Sequence, residues 1–240
     1  NIIPENKHLR RLWRTDLGNS LLSSIILFGA TGKTGLALSK LISGKSLELF
    51  AAVRPGRDSG LLESFGAKIL IVDALDQDQV HSALKDLNKN STIVSLVGGR
   101  HPELGMRIDH PANKNIIETS VELGFSRFIF ITSIGSGESK PQLPEVLKPI
   151  LGLVADEKTK AENVLRASEL DYTIIRPGQL TNEEASGDGI LTEECILGTM
   201  SREDLALMIM KCIEDGETIG KIYSVLDTNK KLDLSWVNER

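Results

Sequence analysis

Short apolar runs alternate with amphipathic segments along most of this chain. The runs lie at 24–28, 47–53, 68–72, 92–97, 127–132 and 172–177. Between them, apolar residues recur at helical spacing, as Val80, Leu84 and Leu87 do. Unbroken apolar strands that alternate with helices are typical of a parallel sheet with both faces covered. The sequence therefore predicts an α/β fold of the Rossmann type, a doubly wound parallel sheet with helices on both faces.

The first apolar run leads directly into three glycines spaced three apart, Gly29, Gly32 and Gly35. Gly29 allows a sharp turn, Gly32 lets a phosphate approach the backbone, and Gly35 lets the next helix pack closely on the strand. The free N–H groups at the start of that helix favour a diphosphate. The pattern predicts a dinucleotide-binding turn that also includes Thr31, Lys33 and Thr34.

Residues 32–34 also resemble the end of a Walker A loop, which binds nucleoside triphosphates. That loop has another glycine five residues before Gly32, and this chain has Leu27 there. A triphosphate loop is therefore excluded. The remaining alternatives are a dinucleotide-binding turn, which we favour because a strand precedes it and a helix follows, and a purely structural turn.

Further cofactor contacts are expected where the later strands end. Arg54 follows the second strand at about the expected distance of roughly 20 residues from the glycine turn. An acidic residue there would select NAD, whereas arginine matches the 2′-phosphate of NADP, with Lys33 as a second positive charge. We therefore predict NADP (NADPH) as the cofactor. The other predicted contacts, at the ends of the third to sixth strands, are Asp73, Val97, Gly98, Thr132, Pro177 and Gly178.

Composition and charge exclude several other functions. The chain has 240 residues, a net charge of −5 and no basic block, so neither nucleic acid nor a membrane is an expected partner. No apolar run reaches membrane-spanning length. The two cysteines lie among apolar residues and the four histidines lack metal-ligand spacing, so no metal site is predicted. We expect a cytoplasmic protein, monomeric or weakly homo-oligomeric, whose partner is a small-molecule acceptor.

The chain is predicted to form a single domain with one short extension. Residues 1–23 are interpreted as an N-terminal arm; a trimmed targeting peptide is the alternative, which Glu5 and Asp16 disfavour. Residues 24–240 form the NAD(P)-binding domain. Within it, the acidic and glycine-bearing stretch at about 179–200 is expected to build a small C-terminal substrate cap. Prolines 141, 144 and 149 mark a stiff loop before a helix predicted at 156–168.

Several motifs in order resemble the atypical branch of the short-chain dehydrogenase/reductase superfamily. They lie at 29–35, 109–115, 128–133 and 172–178, together with Lys158, Ala161 and Glu162. The resemblance spans about residues 24–226. This branch includes NmrA-like proteins and the biliverdin-IXβ reductase (flavin reductase) type.

The superfamily usually has a serine after the fifth strand and a Tyr-x-x-x-Lys pair on the next helix, where the tyrosine donates a proton. Ser133 and Lys158 match the serine and the lysine, and the resemblance implies that both are catalytic. The tyrosine position holds Val154, so the usual proton donor is missing. Lys158 would also bind the ribose of the cofactor. The alternatives are a turn serine and a surface lysine paired with Glu162.

The resemblance leaves more than one function open. The first is an NADP(H)-dependent oxidoreductase that reduces a small conjugated acceptor such as a flavin, a quinone or a tetrapyrrole-like molecule. Its proton would come from solvent or from Ser133. The second is an NmrA-like redox sensor that binds the dinucleotide without turnover. An epimerase or isomerase ranks last, because that chemistry normally uses the missing tyrosine.

Overall fold

A computed structural model describes residues 24–101 and 103–235. The predicted N-terminal arm lies outside these residues. The strands are β1 Ser24–Phe28, β2 Glu48–Val53, β3 Lys68–Ile71, β4 Thr92–Ser95, β5 Arg127–Ile131, β6 Asp171–Pro177, β7 Gln179–Thr181, β8 Gly189–Thr192, β9 Thr199–Ser201 and β10 Lys221–Asp227. The helices are α1 Lys33–Ser43, α2 Gly60–Ser64, α3 Gln77–Leu84, α4 Pro111–Glu122, α5 Lys148–Ala167 and α6 Arg202–Glu214.

Eight of these strands form one sheet in the order β3-β2-β1-β4-β5-β6-β10-β8. All neighbours are parallel except β8, which runs antiparallel to β10 at one edge. The order reverses between β1 and β4, because the chain crosses back from β3 to the other side of β1. In such sheets a crevice opens at the carboxyl ends of the two strands at the reversal. The predicted Rossmann-type fold is confirmed.

The sheet separates two apolar cores, and alternate residues of each strand serve opposite faces. In β1, Ile25 and Leu27 belong to the core beneath α1 and α6, while Ile26 and Phe28 belong to the core beneath α3, α4 and α5. All four side chains are buried. This burial on both faces explains why the strands read as unbroken apolar runs.

Helix α5 starts at Lys148, well before the position predicted from the sequence. Pro149 lies in the first turn of this helix. Backbone N–H groups in the first turn have no intrahelical acceptor, so a proline there, which lacks the N–H group, removes no hydrogen bond. Interpreting this proline as a loop residue was therefore wrong. The earlier start extends α5 along the loop that follows β5.

The stretch at 179–200 contains three short strands that were not predicted. β7 pairs in parallel with β9 as a separate two-stranded sheet, and β8 adds the antiparallel edge strand. Its role as a substrate cap stays a prediction. Among the described helices, none has the length and apolar character that crossing a bilayer would require.

Candidate active site

A cleft of about 350 Å³ opens at the carboxyl ends of β1, β4, β5 and β6, where the strand order reverses. One wall is the glycine turn between β1 and α1. The rest of the lining combines strand ends with residues of α5, β7 and α6. The lining residues are Gly29, Gly32, Lys33, Thr34, Gly35, Leu96, Ile131, Thr132, Lys158, Pro177, Leu180, Arg202 and Leu205.

Two glycines of the turn are required by the fold itself. Gly29 has a φ of +80°, and a Cβ there would lie 2.9 Å from the carbonyl carbon of Leu96. A Cβ on Gly35 would lie 2.6 Å from the carbonyl oxygen of Ala30. Both distances are shorter than real Cβ contacts allow, so β1, β4 and α1 can pack this closely only around glycine.

Gly32 differs, because a Cβ there would meet only the carbonyl oxygen of Gly29, at 3.3 Å. Gly32 is the N-cap of α1 and offers no side chain to the first N–H groups of that helix, and the first turn contains no acidic residue. Those N–H groups have no intrahelical partner and carry the positive end of the helix dipole. The arrangement fits a diphosphate in the cleft, close to the backbone.

The residues predicted to select NADP lie at neighbouring strand ends. β1 and β2 pair in parallel, with Phe28 opposite Ala52, so the segments after them are adjacent. Lys33 is exposed at the first position of α1, and Arg54 is half-buried directly after β2. Asp58, four residues after Arg54 in the chain, accepts a hydrogen bond from the Gly60 N–H at 2.9 Å within its own loop.

Polar residues beside the cleft hold its loops in place. Asp73 accepts a hydrogen bond from the Leu75 N–H at 3.0 Å, which closes the turn after β3. Asn115 donates to the carbonyl oxygens of Ala74 and Leu75, both at 3.0 Å. These two hydrogen bonds fix the loop after β3 against α4.

Asn113 ties β4 to α4. Its side chain is buried, its Oδ1 accepts a hydrogen bond from Ser95 Oγ at 2.6 Å, and its Nδ2 donates to the carbonyl oxygen of Val97 at 3.1 Å. The end of β4 is therefore fixed where it passes the cleft, which places Val97 and Gly98 beside it.

Lys158 lies in the cleft wall and is not a surface lysine. Its side chain is 13% exposed, and Nζ lies 3.4 Å from Oδ1 of Asp109, which is completely buried. The alternative pairing with Glu162 is wrong, because Glu162 pairs with Arg176 instead. Burial lowers the pKa of the Lys158 ammonium group, and the charge of Asp109 opposes this shift.

Asp109 is a site residue that the sequence analysis missed. Its Oδ2 accepts hydrogen bonds from Arg107 Nε at 2.9 Å and the Gly99 N–H at 3.2 Å, and it forms an ion pair with Arg107 Nη2 at 2.7 Å. Its Oδ1 has no hydrogen-bond partner within the part of the chain that the structure describes. A Cβ on Gly98 would lie 2.6 Å from that oxygen. An acidic residue just before a helix usually caps it, so this cluster could not be recognised from the order of residues alone.

A second buried network was also missed. Thr132 Oγ1 donates to Glu162 Oε1 at 2.6 Å, and Glu162 accepts from Arg176 Nε at 3.0 Å and Nη2 at 2.5 Å. Arg176 also donates to Glu138 at 2.9 Å. The network joins the ends of β5 and β6 to α5. Thr132 therefore lines the cleft while its hydroxyl group is bound to Glu162.

The remaining predicted residues are not among those that line the cleft. Ser133 is half-buried directly after β5, and Val154 precedes Lys158 by about one turn of α5. A Cβ on Gly178 would overlap the carbonyl oxygen of Gly198, so this glycine lets the chain pass close to β9. The structure brings eight predicted residues to the cleft surface: Gly29, Gly32, Lys33, Thr34, Gly35, Thr132, Lys158 and Pro177. Those outside the lining are Thr31, Arg54, Asp73, Val97, Gly98, Ser133 and Gly178.

Residues 29–216 match the model of a protein family described as NAD(P)H-binding. The chain belongs to this NAD(P)H-binding family. The match begins at the first glycine of the turn and ends beyond α6, so it includes every lining residue of the cleft. This match confirms the predicted relationship to NAD(P)-binding proteins of this superfamily. The cofactor that the family binds is a nicotinamide dinucleotide.

Several known proteins are similar to this chain in sequence or structure. ChuY, an anaerobilin reductase from Escherichia coli O157:H7, superposes with a TM-score of 0.80 at 30% identity, covering 88% of this chain and 100% of ChuY. The uncharacterized sugar epimerase YhfK of Bacillus subtilis is 26% identical over 205 residues, which is 85% of this chain and 94% of YhfK. Quinone oxidoreductase 2 of Escherichia coli is 27% identical, covering 84% of this chain and 68% of that protein.

Proposed function

We propose that this member of the NAD(P)H-binding family is an NADP(H)-dependent oxidoreductase that reduces a small conjugated acceptor without the usual catalytic tyrosine. One observation carries the proposal: a single cleft contains both the open first turn of α1 and the buried ammonium group of Lys158. The names of ChuY and quinone oxidoreductase 2 support an acceptor of the tetrapyrrole or quinone class.

Residues of the cleft lining and residues at the neighbouring strand ends share the binding of the dinucleotide. The free N–H groups in the first turn of α1 hold the diphosphate, with Lys33 beside them. Arg54 binds the 2′-phosphate at the end of β2, where a guanidinium group can form two parallel hydrogen bonds to phosphate oxygens. Further contacts to the dinucleotide come from residues at the ends of later strands, namely Asp73, Val97, Gly98 and Pro177. Lys158 donates hydrogen bonds to the ribose hydroxyls.

The reduced dinucleotide supplies a hydride when it is bound, and the protein supplies position and electrostatics. An acceptor that delocalises the added electrons needs no strong acid, which fits the absence of tyrosine from the described cleft lining. Solvent and Ser133 are two proton sources. Lys158 is a third, because burial lowers the pKa of its ammonium group and so makes it a better acid near neutral pH.

Calorimetric titration and steady-state kinetics test this proposal. We expect NADPH to bind at least about tenfold more tightly than NADH, and NADPH to be consumed with at least one acceptor from a panel of flavins, quinones and linear tetrapyrroles. Lys158→Ala should lower kcat/KM by about 100-fold or more, in line with the loss of a group that acts on the transition state. Lys160→Ala is the control, because Lys160 is exposed and pairs with Glu157 on the same helix. No turnover with any acceptor would contradict the proposal.

Val154 at the tyrosine position and the location of Ser133 outside the cleft lining favour a second function, a redox sensor that binds the dinucleotide without turnover. Saturable NADPH binding with no oxidation, together with a protein partner recovered in a pull-down, would select this function. For either function, we also propose a cytoplasmic location and a monomeric or weakly oligomeric state. Cell fractionation and light scattering after size-exclusion chromatography test these two points.

A further inference from the structure

Among the described residues that line the cleft, Arg202 is the charged one that has no role in the proposed function. It is half-buried at the start of α6, which packs beside α1, and it lines the cleft. The cleft lining contains three cationic side chains, those of Lys33, Lys158 and Arg202, and no carboxylate. Asp109 balances Lys158, and Lys33 is exposed to solvent.

The guanidinium group of Arg202 is held firmly by one nitrogen. Nη1 donates to the carbonyl oxygens of Leu180 at 3.0 Å and Thr181 at 3.1 Å, and to Asn182 Oδ1 at 2.8 Å. These acceptors are neutral, so they orient the group without neutralising it. A guanidinium group carries five N–H donors, and among the described residues no acceptor is found for those on Nε and Nη2.

A cation that is fixed in a cleft and lacks a counter-ion is a suitable partner for an anionic ligand. Leu180 and Leu205 lie beside Arg202 and provide an apolar surface next to the charge. We propose that Arg202 binds the phosphate or carboxylate oxygens of a ligand in this cleft. The anion comes either from the diphosphate of the dinucleotide or from an acidic substituent on the acceptor. This inference rests on the dinucleotide site proposed above.

The first test uses inorganic pyrophosphate as the probe, measured by calorimetry without any cofactor. We expect Arg202→Gln to weaken pyrophosphate binding at least about fivefold, Arg202→Lys to lose less, and the difference to shrink at high salt because exposed charges are screened. Lys211→Gln is the control for a lost charge on the same helix, since Lys211 is exposed. Asn182→Ala is the control for the structural role, because it removes an acceptor of Nη1 and keeps the guanidinium group.

Two further titrations separate the sources of the anion. If Arg202→Gln weakens NADP⁺ binding, the diphosphate is the partner. If NADP⁺ binding is unchanged but the NADP⁺-bound protein loses its preference for FMN over uncharged riboflavin, the acceptor is the partner. Equal binding of every probe by Arg202→Gln and the wild type, or an equal loss in Asn182→Ala, would overturn the inference. Wild-type protein that binds pyrophosphate but no dinucleotide would instead refute the proposed function alone.

Discussion

Gly32→Asp separates the fold from the function of the glycine turn. Gly32 is the N-cap of α1, and a Cβ there approaches only the carbonyl oxygen of Gly29, at 3.3 Å. That neighbour must move by only a few tenths of an ångström. Aspartate is a better N-cap than glycine by a few tenths of a kcal/mol, and its charge at the helix N-terminus adds about 0.3–1 kcal/mol. We therefore expect the melting temperature to stay the same or rise by about 1–4 °C.

Dinucleotide binding should change in the opposite direction. An aspartate carboxylate about 4 Å from the diphosphate would repel it by roughly 4 kcal/mol at an effective dielectric constant near 20. That energy corresponds to nearly a thousandfold loss of affinity, and salt reduces it. We expect Kd for NADPH to rise at least about 100-fold. In the wild type, NADPH at 100 times Kd should add about 2.7 kcal/mol to the free energy of unfolding, and in the variant almost nothing.

Calorimetric titration with NADPH and thermal unfolding with and without NADPH measure both effects. Gly44→Asp is the matched control at the other end of α1, where a Cβ meets only the Leu41 carbonyl oxygen at 3.7 Å. A negative charge at that end opposes the helix dipole, so this variant should be slightly less stable yet bind NADPH normally. A Gly32→Asp protein that is well folded and binds NADPH within about threefold of the wild type would refute the diphosphate site.

Three other predictions concern selectivity and stability. Arg54→Gln should raise Kd for NADPH at least about tenfold and leave Kd for NADH within about threefold in the same titration; an equal loss for both would count against the 2′-phosphate contact. Arg176→Met leaves Glu162 buried without its cation and should lower the free energy of unfolding by about 3–5 kcal/mol in urea denaturation; an unchanged midpoint would contradict this. A hydrogen bond with its own backbone N–H, supported by Arg176 and Arg166, lowers the pKa of Glu138 to about 2. Because the folded-state pKa is below the unfolded value of 4.5, ionised Glu138 stabilises the fold above about pH 4.5, and this contribution is lost as the pH falls towards 2. Glu138→Gln should therefore unfold with a shallower dependence on pH in this range, and an identical acid titration would speak against the contact.

The sequence by itself determined the parallel sheet and the glycine turn between β1 and α1. Strands buried on both faces must be apolar at every position, so their runs are visible in a one-dimensional pattern. The glycines can also be recognised from the sequence, because close packing permits no other residue there. A Cβ on Gly35 would collide with the backbone at Ala30, and a Cβ on Gly29 would collide with the backbone at Leu96 after the neighbouring strand. The missing tyrosine at Val154 was also a matter of spacing alone.

Only the tertiary structure decided which side chains meet. Lys158 has an acidic residue one helical turn away, yet it faces Asp109, because α5 packs beside the segment that follows β4. Arg202 reaches the cleft because the chain returns through β7 and β9 before α6 begins. Pro149 lies in the first turn of a helix that the residues around it did not predict. Charged pairs between distant segments leave no periodic trace in the sequence, since each depends on how two elements pack rather than on the residues near either partner.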